Sequence, residues 1–332
     1  MSWRGILVIG EVRSGAIQPA TMELTAKARV LADADGSKVT TLLMFDDIVS
    51  DPKECIGYGA DTVVFACAPA FGLFNQDIQY RTVVHLIEKI RPAIVLASAT
   101  SAGRTIMPAA AAVIGTGLTA DCTGLEIDPE NGDLLQTRPA IGGNVMATIR
   151  TSDHRPQMAT VRPRTFPIPD PDQKRKGKAE RLDVPPEILQ SRVLPMGIEI
   201  QEGEGSNIQD MDVVVSGGKG MARTESFGML HELASLLGGG IGASRAAVDN
   251  RWIGYPHQVG LSGKAVSPKV YIAAGISGSV QHLAGIQTAG YIVAVNKDPD
   301  ASIFRVADLA LCGDLFEIVP KMIEAVKRET EK

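Results

Sequence analysis

The feature that most constrains the fold is a series of short β-branched runs that end in glycine turns, densest between Asp212 and Leu315. Residues 213–215 are too few and too β-branched for a helix, and they lead straight into Gly217-Gly218, which is typical of a buried parallel strand. Residues 270–273 and 291–295 repeat this pattern. Since helical apolar stripes separate and follow these runs, we predict a doubly wound parallel sheet over residues 211–332.

Glycine turns at the carboxyl ends of parallel strands indicate a ligand site in this domain. Glycine lets backbone N–H groups approach a phosphate closely, and the start of the next helix adds a positive end. The turn at 275–278, ahead of a helix predicted at 279–286, is therefore our candidate pyrophosphate site. A plain strand-to-helix turn explains the same residues equally well.

The N-terminal part predicts a second α/β unit with its own sheet and a β-hairpin-rich extension. Asn131-Gly132 between two apolar runs is the strongest short hairpin signal in the chain. The turn at 10–15 lacks the G-x-G-x-x-G fingerprint, so we place no nucleotide there. The predicted strands cover residues 6–9, 39–43, 62–66, 94–97, 124–128, 134–138, 144–149 and 157–161, and the predicted helices centre on 24–31, 80–87 and 105–113.

Length and local composition predict two domains joined by a linker. At 332 residues the chain exceeds one average hydrophobic core. Residues 201–207 are polar, glycine-rich and without periodicity. We therefore expect an N-terminal domain at 1–200, a linker or hinge at 201–210 and a C-terminal domain at 211–332. The proline-rich, basic stretch at 163–178 is predicted to be a solvated surface excursion.

Composition excludes several classes of protein. The net charge is −5, from 33 basic and 38 acidic residues, which gives no general case for nucleic acid. The chain has no apolar run of the roughly 20 residues that span a bilayer and no signal peptide, so we expect a cytoplasmic protein without membrane insertion. The four cysteines have no metal-ligand spacing and are predicted to be small buried residues in a reducing compartment.

Several motifs in a fixed order add a family resemblance. They are the glycine turn at 216–220, the Gly-Ala-Ser-Arg segment at 242–245, the Gln-Val-Gly-Leu-Ser-Gly-Lys loop at 258–264, the helix start at 275–285 and Asn296-Lys297-Asp298-Pro299. Together they resemble the FAD-binding domain of electron transfer flavoprotein alpha subunits, and the segment at 137–144 resembles the same family more loosely. The resemblance implies FAD, a heterodimer with a beta subunit, and electron exchange with an acyl-CoA dehydrogenase-type flavoenzyme. It also places Arg138 towards the partner subunit, although a salt-bridged loop arginine is an equal alternative.

The resemblance assigns three residues to the flavin ring. It places Arg245 over the ring, where a permanent cation stabilises a negatively charged flavin, Ser262 at N5, and His282 as a donor near the C2 carbonyl. Simpler explanations stay open for each: Arg245 could pair with Asp249, Ser262 could be a turn residue, and His282 could be a core histidine with satisfied hydrogen bonds.

The resemblance assigns the other cofactor contacts to the phosphates, the ribityl chain and the adenosine end. Lys219 stands where the family usually has arginine, so it keeps the charge and loses the planar fork. Asp314 also reads as an ordinary N-cap of the last helix. The predicted contacts besides the three ring residues are Lys219, Ser244, Gln258, Val259, Gly260, Gly275, Ser277, Gly278, Gln281, Asn296, Asp314 and Leu315.

Two subtypes and two other classes of protein stay open. One subtype is a respiratory carrier with one FAD. The other is an anaerobic electron-bifurcating type with a second FAD in the beta subunit, NADH as donor and ferredoxin as a further partner; the loop at 258–263 resembles this type. In either subtype the chain is an electron carrier that takes part in catalysis only together with its partners. A non-redox assembly protein with a structural nucleotide is a different class, and the missing G-x-G-x-x-G counts against a transhydrogenase-like domain.

Overall fold

The computed structural model describes residues 3–140, 145–198 and 207–330. The chain divides into two compact units, Met1–Pro139 with Met146–Glu199, and Ala140–Val145 with Ile200–Lys332. Most of the predicted linker, residues 201–206, lies outside the described residues, so the linker and the domain limits 1–200 and 211–332 stay predictions.

In the described part of the first unit, the strands numbered along the chain are β1 Ile6–Ile9, β2 Val12–Arg13, β3 Ala16–Ile17, β4 Val39–Phe45, β5 Thr62–Cys67, β6 Ile94–Ser98, β7 Leu118–Cys122, β8 Gly124–Ile127, β9 Leu134–Pro139, β10 Met146–Ile149, β11 Gln157–Val161 and β12 Lys178–Arg181. Seven of them are parallel and form one sheet in the order β12, β5, β4, β1, β6, β11, β7. The helices are α1 Pro19–Asp35, α2 Glu54–Gly57, α3 Gln76–Ile90 and α4 Ser101–Ile114. A separate antiparallel sheet runs β10, β9, β8, and β2 pairs with β3.

The predicted hairpin forms between β8 and β9, with Gly132 in its turn at φ 75°. The strand predicted at 157–161 also forms, but β11 lies between β6 and β7 in the parallel sheet. The surface-excursion prediction is wrong for its last residue, because Lys178 begins β12 at the edge of the sheet. That strand is mostly exposed, so it lacks the apolar pattern that marks a strand in sequence.

In the described residues of the second unit, the strands are β13 Val213–Gly217, β14 Gly240–Ala243, β15 Val270–Ala274, β16 Tyr291–Asn296 and β17 Leu309–Cys312, and the helices are α5 Phe227–Leu236, α6 Arg245–Asp249, α7 Val280–Ala284 and α8 Leu315–Thr330. The five strands form a parallel sheet in the order β14, β13, β15, β16, β17. The strand order reverses between β13 and β15, which is the topological switch point where such sheets bind ligands.

The inner strands of this sheet are buried on both faces, which is why they read as continuous apolar runs. Val215 and Ile272 pack with α5 and α8 on one face. Their neighbours Val214 and Tyr271 pack on the other face against loops rather than long helices. The helix predicted at 279–286 is correspondingly shorter. It ends at Gly285, where a Cβ would lie 2.6 Å from the Cα of Gly260, so the chain turns away to let the two backbones meet.

The cysteine prediction is partly wrong. Cys55 and Cys122 are buried, Cys67 is half-buried and Cys312 is exposed. Cys312 ends β17, an edge strand that is largely exposed. Separately, none of the described helices combines the length and the apolar character needed to cross a membrane.

Candidate functional site

A cleft of about 940 Å³ lies at the carboxyl ends of the second sheet. Its walls are the segments that follow β13, β14, β15, β16 and β17, together with the loop at 259–262 and the start of α8. The structure brings every predicted site residue except Gln258 to this cleft: Lys219, Ser244, Arg245, Val259, Gly260, Ser262, Gly275, Ser277, Gly278, Gln281, His282, Asn296, Asp314 and Leu315.

Two glycine turns meet at the switch point. The N–H of Gly218 donates to Ala274 O at 2.9 Å, and the N–H of Gly220 donates to Gly275 O at 3.0 Å. A Cβ on Gly218 would lie 2.2 Å from Gly275 O, a distance that no side chain tolerates. The two turns therefore pack backbone against backbone, and Gly220 and Gly275 line the cleft without a side chain, which is the property a phosphate site needs.

The charged side chains that line the cleft are predominantly basic. Lys219, Arg245 and Lys297 are cationic, and Asp314 is the one carboxylate among the described lining residues. Arg245 pairs with Asp249 at 3.3 Å, as the simpler explanation anticipated, but its side chain is 70% exposed. An exposed pair of this kind contributes little, about 0.3–0.5 kcal/mol, so the guanidinium can turn to a ligand at small cost.

The loop that carries Ser262 is held by its own hydrogen bonds. Lys264 N–H donates to Gln258 O at 2.7 Å and closes the loop on itself. Tyr255 O–H donates to the Ser262 carbonyl at 3.0 Å, and the Gln258 amide donates to Ser262 Oγ at 3.0 Å. Gln258, which was predicted to contact the cofactor, does not line the cleft. The closed loop buries its side chain behind Ser262, where it is 4% exposed.

His282 is a buried histidine whose ring hydrogen bonds are both made within the protein. Nδ1 lies 3.1 Å from Val259 O and Nε2 lies 2.9 Å from Tyr271 Oη. Because a carbonyl only accepts, Nδ1 carries the proton of the neutral ring and Nε2 accepts from the tyrosine. Burial lowers the pKa of His282 to about 4, against the opposing effect of the Val259 carbonyl, and burial raises the pKa of Tyr271. The ring thus has no N–H left for a flavin carbonyl, which departs from the donor role the resemblance implied.

Asn296 and Asp314 also have structural hydrogen bonds. The Asn296 amide donates to Ile276 O at 2.9 Å and accepts from Asp298 N–H at 3.0 Å, so it fixes the turn that precedes α7. Asp314 accepts from Phe316 N–H at 2.8 Å at the start of α8, which is the N-cap role predicted for it. One carboxylate oxygen of Asp314 remains for a ligand.

The sequence analysis did not assign several contributors to the site, among them Lys297, Phe316 and Tyr271. Lys297 and Phe316 line the cleft beside predicted residues, and their adjacency to Asn296 and Leu315 was the available signal. Tyr271 supports His282 from inside β15, and nothing in a continuous apolar strand distinguishes this role.

Comparison with known proteins decides the family. The family model described as "Electron transfer flavoprotein domain" matches residues 6–187, and the one described as "Electron transfer flavoprotein FAD-binding domain" matches residues 207–287. The electron transfer flavoprotein subunit alpha of Thermoanaerobacterium thermosaccharolyticum is 43% identical over 98% of both chains. The chain belongs to the electron transfer flavoprotein alpha subunits.

Two further relatives of this alpha subunit have more specific names. Subunit LctC of the lactate dehydrogenase (NAD(+),ferredoxin) of Acetobacterium woodii is 39% identical over 98% of this chain and 77% of its own. The acryloyl-CoA reductase electron transfer subunit beta of Anaerotignum propionicum is 37% identical over 98% of this chain and 96% of its own. Alpha subunits of this family work with a beta subunit and with dehydrogenase partners.

FAD is the cofactor of this alpha subunit, and the cleft residues fit it. The volume of about 940 Å³ lies at the upper end of the range for ligand pockets. Three cations against one carboxylate suit a diphosphate with two negative charges. The bare backbone at Gly220 and Gly275 allows close approach, and Ser262 offers a hydroxyl elsewhere on the wall.

Proposed function

We propose that this alpha subunit holds FAD in the cleft lined by residues between 219 and 316, and that it passes electrons between its beta subunit and an acyl-CoA dehydrogenase-type flavoenzyme. The observation that carries the proposal is the convergence of Arg245, Ser262 and the glycine turns of β13 and β15 on one cleft. The bound FAD supplies the redox chemistry. The chain itself needs to bind, orient and tune that group, and no side chain has to act as an acid or base on a substrate.

The cleft residues divide the work by their chemistry. The Arg245 guanidinium supplies a permanent positive charge for a ring that gains electrons. The Ser262 hydroxyl donates a hydrogen bond to the flavin N5. Lys219, Lys297 and the backbone at 275–278 hold the diphosphate, and the Asp314 carboxylate binds ribose hydroxyls. His282 would support the cleft wall through its bonds to Val259 and Tyr271 rather than donate to the flavin.

The beta subunit is proposed to dock on the antiparallel sheet of the first unit. β10 is an edge strand, and Met146 and Ile149 on it are 49% and 38% exposed. An exposed edge strand offers unpaired N–H and C=O groups to another chain, and a docked partner would also cover its apolar side chains. Arg138 on β9 lies opposite Ala147 on β10 and would then face this interface.

We also propose that residues 201–210 act as a hinge and that the protein is cytoplasmic.

An electron-bifurcating role is favoured over simple transfer. The name of the relative from Acetobacterium woodii pairs NAD(+) with ferredoxin. The loop of this chain that contains Leu261 and Ser262 also resembles the bifurcating type. In that reaction the two electrons of NADH divide between the flavoenzyme and ferredoxin.

Counting FAD in the purified heterodimer tests this choice. Two FAD per heterodimer, and ferredoxin reduction by NADH that requires the flavoenzyme and its substrate, support bifurcation; one FAD with AMP indicates the respiratory type. A visible spectrum that stays unchanged on titration with dithionite would refute both and leave a structural nucleotide. A variant to titrate beside the wild type is Arg245→Gln, which is shorter, keeps a polar amide and removes the charge proposed to tune the ring.

A further inference from the structure

We infer that Gln258 is a positioning residue that fixes the Ser262 hydroxyl as a hydrogen-bond donor into the cleft. The inference rests on the proposed donor role of Ser262 and assigns the device that sets its direction. Gln258 Nε2 donates to Ser262 Oγ at 3.0 Å from a side chain that is 4% exposed. No contact of Gln258 with the cleft itself is involved, since it is absent from the described lining.

The direction follows from the chemistry of the hydroxyl. A serine side chain has one proton and two lone pairs. When an amide N–H points at one lone pair, the hydroxyl proton cannot lie on that side, and it remains available to an acceptor elsewhere. If the amide oxygen of Gln258 faced Ser262, it would accept the hydroxyl proton. The amide N–H faces Ser262 instead, so the hydroxyl proton stays available to an acceptor in the cleft. A hydroxyl held this way favours a partner atom with a lone pair over one that carries a hydrogen.

The surrounding loop leaves the serine few other options. Its carbonyl accepts from Tyr255 O–H at 3.0 Å, and Gly263 N–H donates to Gly260 O at 3.0 Å. Leu261 N–H donates to Gln281 O at 2.8 Å and ties the loop to α7. Since the backbone on either side of Ser262 is anchored, the freedom that remains is rotation of its side chain, and the Gln258 amide restricts that rotation. The amide therefore acts on the flavin through Ser262.

A double-mutant cycle tests this arrangement in the FAD-loaded heterodimer. The variants are Ser262→Ala, Gln258→Met and the double variant, and the readouts are the flavin midpoint potential and the FAD dissociation constant. Methionine keeps the length of the side chain and has no N–H. We expect Gln258→Met to shift the potential in the same direction as Ser262→Ala by a smaller amount, to weaken FAD binding about two- to fivefold, and to add nothing in the Ser262→Ala background.

Gln209→Leu is the matched control. Gln209 is a half-buried amide that donates to Ala265 O at 3.0 Å, just beyond the loop, so its loss removes a similar bond without touching Ser262. We expect it to leave the potential unchanged. Gln258→Leu, which lacks the N–H but differs in shape, should reproduce the Gln258→Met shift, and thermal unfolding identifies any variant that misfolds.

The outcomes separate the inference from the proposed function. A shift in Ser262→Ala with none in either Gln258 variant overturns the positioning role alone, as does a Gln258→Met shift that adds in full to that of Ser262→Ala. If Ser262→Ala itself leaves the potential and the FAD affinity unchanged, the proposed donor role of Ser262 falls and the positioning role falls with it.

Discussion

Acid should destabilise the FAD-binding unit through the buried His282. Its ring is 4% exposed, with both nitrogens bound to Val259 and Tyr271, and burial holds its pKa at about 4 against an ordinary 6.5. The folded chain therefore resists the proton that the unfolded chain takes up. A folded pKa below the unfolded one means that the contribution to stability is fully present above pH 6.5 and is lost as the pH falls towards 4.

The magnitude follows from the size of the pKa shift. A difference between 6.5 and about 4 is about 2.5 pKa units, and at 1.36 kcal/mol per unit the full loss in the free energy of unfolding is about 3 kcal/mol. At pH 5 the unfolded histidine is almost fully protonated and the folded one is still mostly neutral. About 2 kcal/mol should therefore already be gone at pH 5 relative to pH 8.

Urea unfolding of wild type and His282→Phe between pH 8 and pH 5, followed by circular dichroism, measures this loss. The variant should be less stable than wild type at pH 8 by roughly 2–4 kcal/mol, because Val259 O and Tyr271 O–H lose their buried partner. Its further loss on going to pH 5 should be smaller than that of wild type by about 2 kcal/mol. His154→Asn, at an exposed histidine, should keep the wild-type acid loss.

Equal acid losses in wild type and His282→Phe would refute the assignment. Should the phenylalanine variant fail to fold, nuclear magnetic resonance of the histidine rings in the wild type decides the same question. The spectrum should show a neutral ring protonated at Nδ1 that does not titrate above pH 5. A ring that titrates near pH 6.5 would contradict both the burial argument and the tautomer.

Three further predictions concern other contacts in the structure. Gly218→Ala should destabilise the chain by about 1–3 kcal/mol or more in urea unfolding, since its Cβ would lie 2.2 Å from a carbonyl oxygen, whereas Gly228→Ala, with open space in helix α5, should stabilise it by about 0.5–1 kcal/mol. Arg245→Ala should raise the FAD dissociation constant about ten- to a hundredfold in equilibrium titrations, while Asp249→Asn should change stability by less than about 0.5 kcal/mol. Glu23→Gln should lower the free energy of unfolding by about 1–3 kcal/mol, because the buried Glu23 carboxylate accepts three backbone N–H groups at 2.8–2.9 Å and an amide nitrogen would oppose one of them.

The inner strands of the two parallel sheets could be predicted because burial on two faces leaves a visible apolar run. The edge strands of these two sheets could not. β14 has the sequence Gly-Ile-Gly-Ala, and a Cβ on Gly242 would lie 2.2 Å from Ser216 Oγ, so close packing favours glycine there. Because glycine has a low strand propensity, the sequence does not indicate this strand. β12 and β17 are largely exposed, so parallel pairing rather than apolar burial defines them.

Sequence located the cleft better than it assigned its side chains. The glycine turns indicate where the strands end. Because the carboxyl ends of parallel strands lie at one edge of the sheet, the residues that line the cleft could be predicted from this pattern. The direction of a side chain does not. Gln258 turns into the loop and His282 turns towards Tyr271, and both choices depend on partners that periodicity does not encode.

The glycines also explain why their order was informative when no single turn was. Gly218 has to be glycine because of Gly275 on another strand, and Gly285 because of Gly260 in another loop. Each residue is constrained by a backbone far away in sequence, so the information lies in pairs, and several weak turns in the right order specify one packed arrangement. Because these contacts are between protein atoms, the turns hold the cleft wall in shape without a ligand. Packing of one turn on another therefore shapes the part of the cleft wall that is proposed to receive the diphosphate.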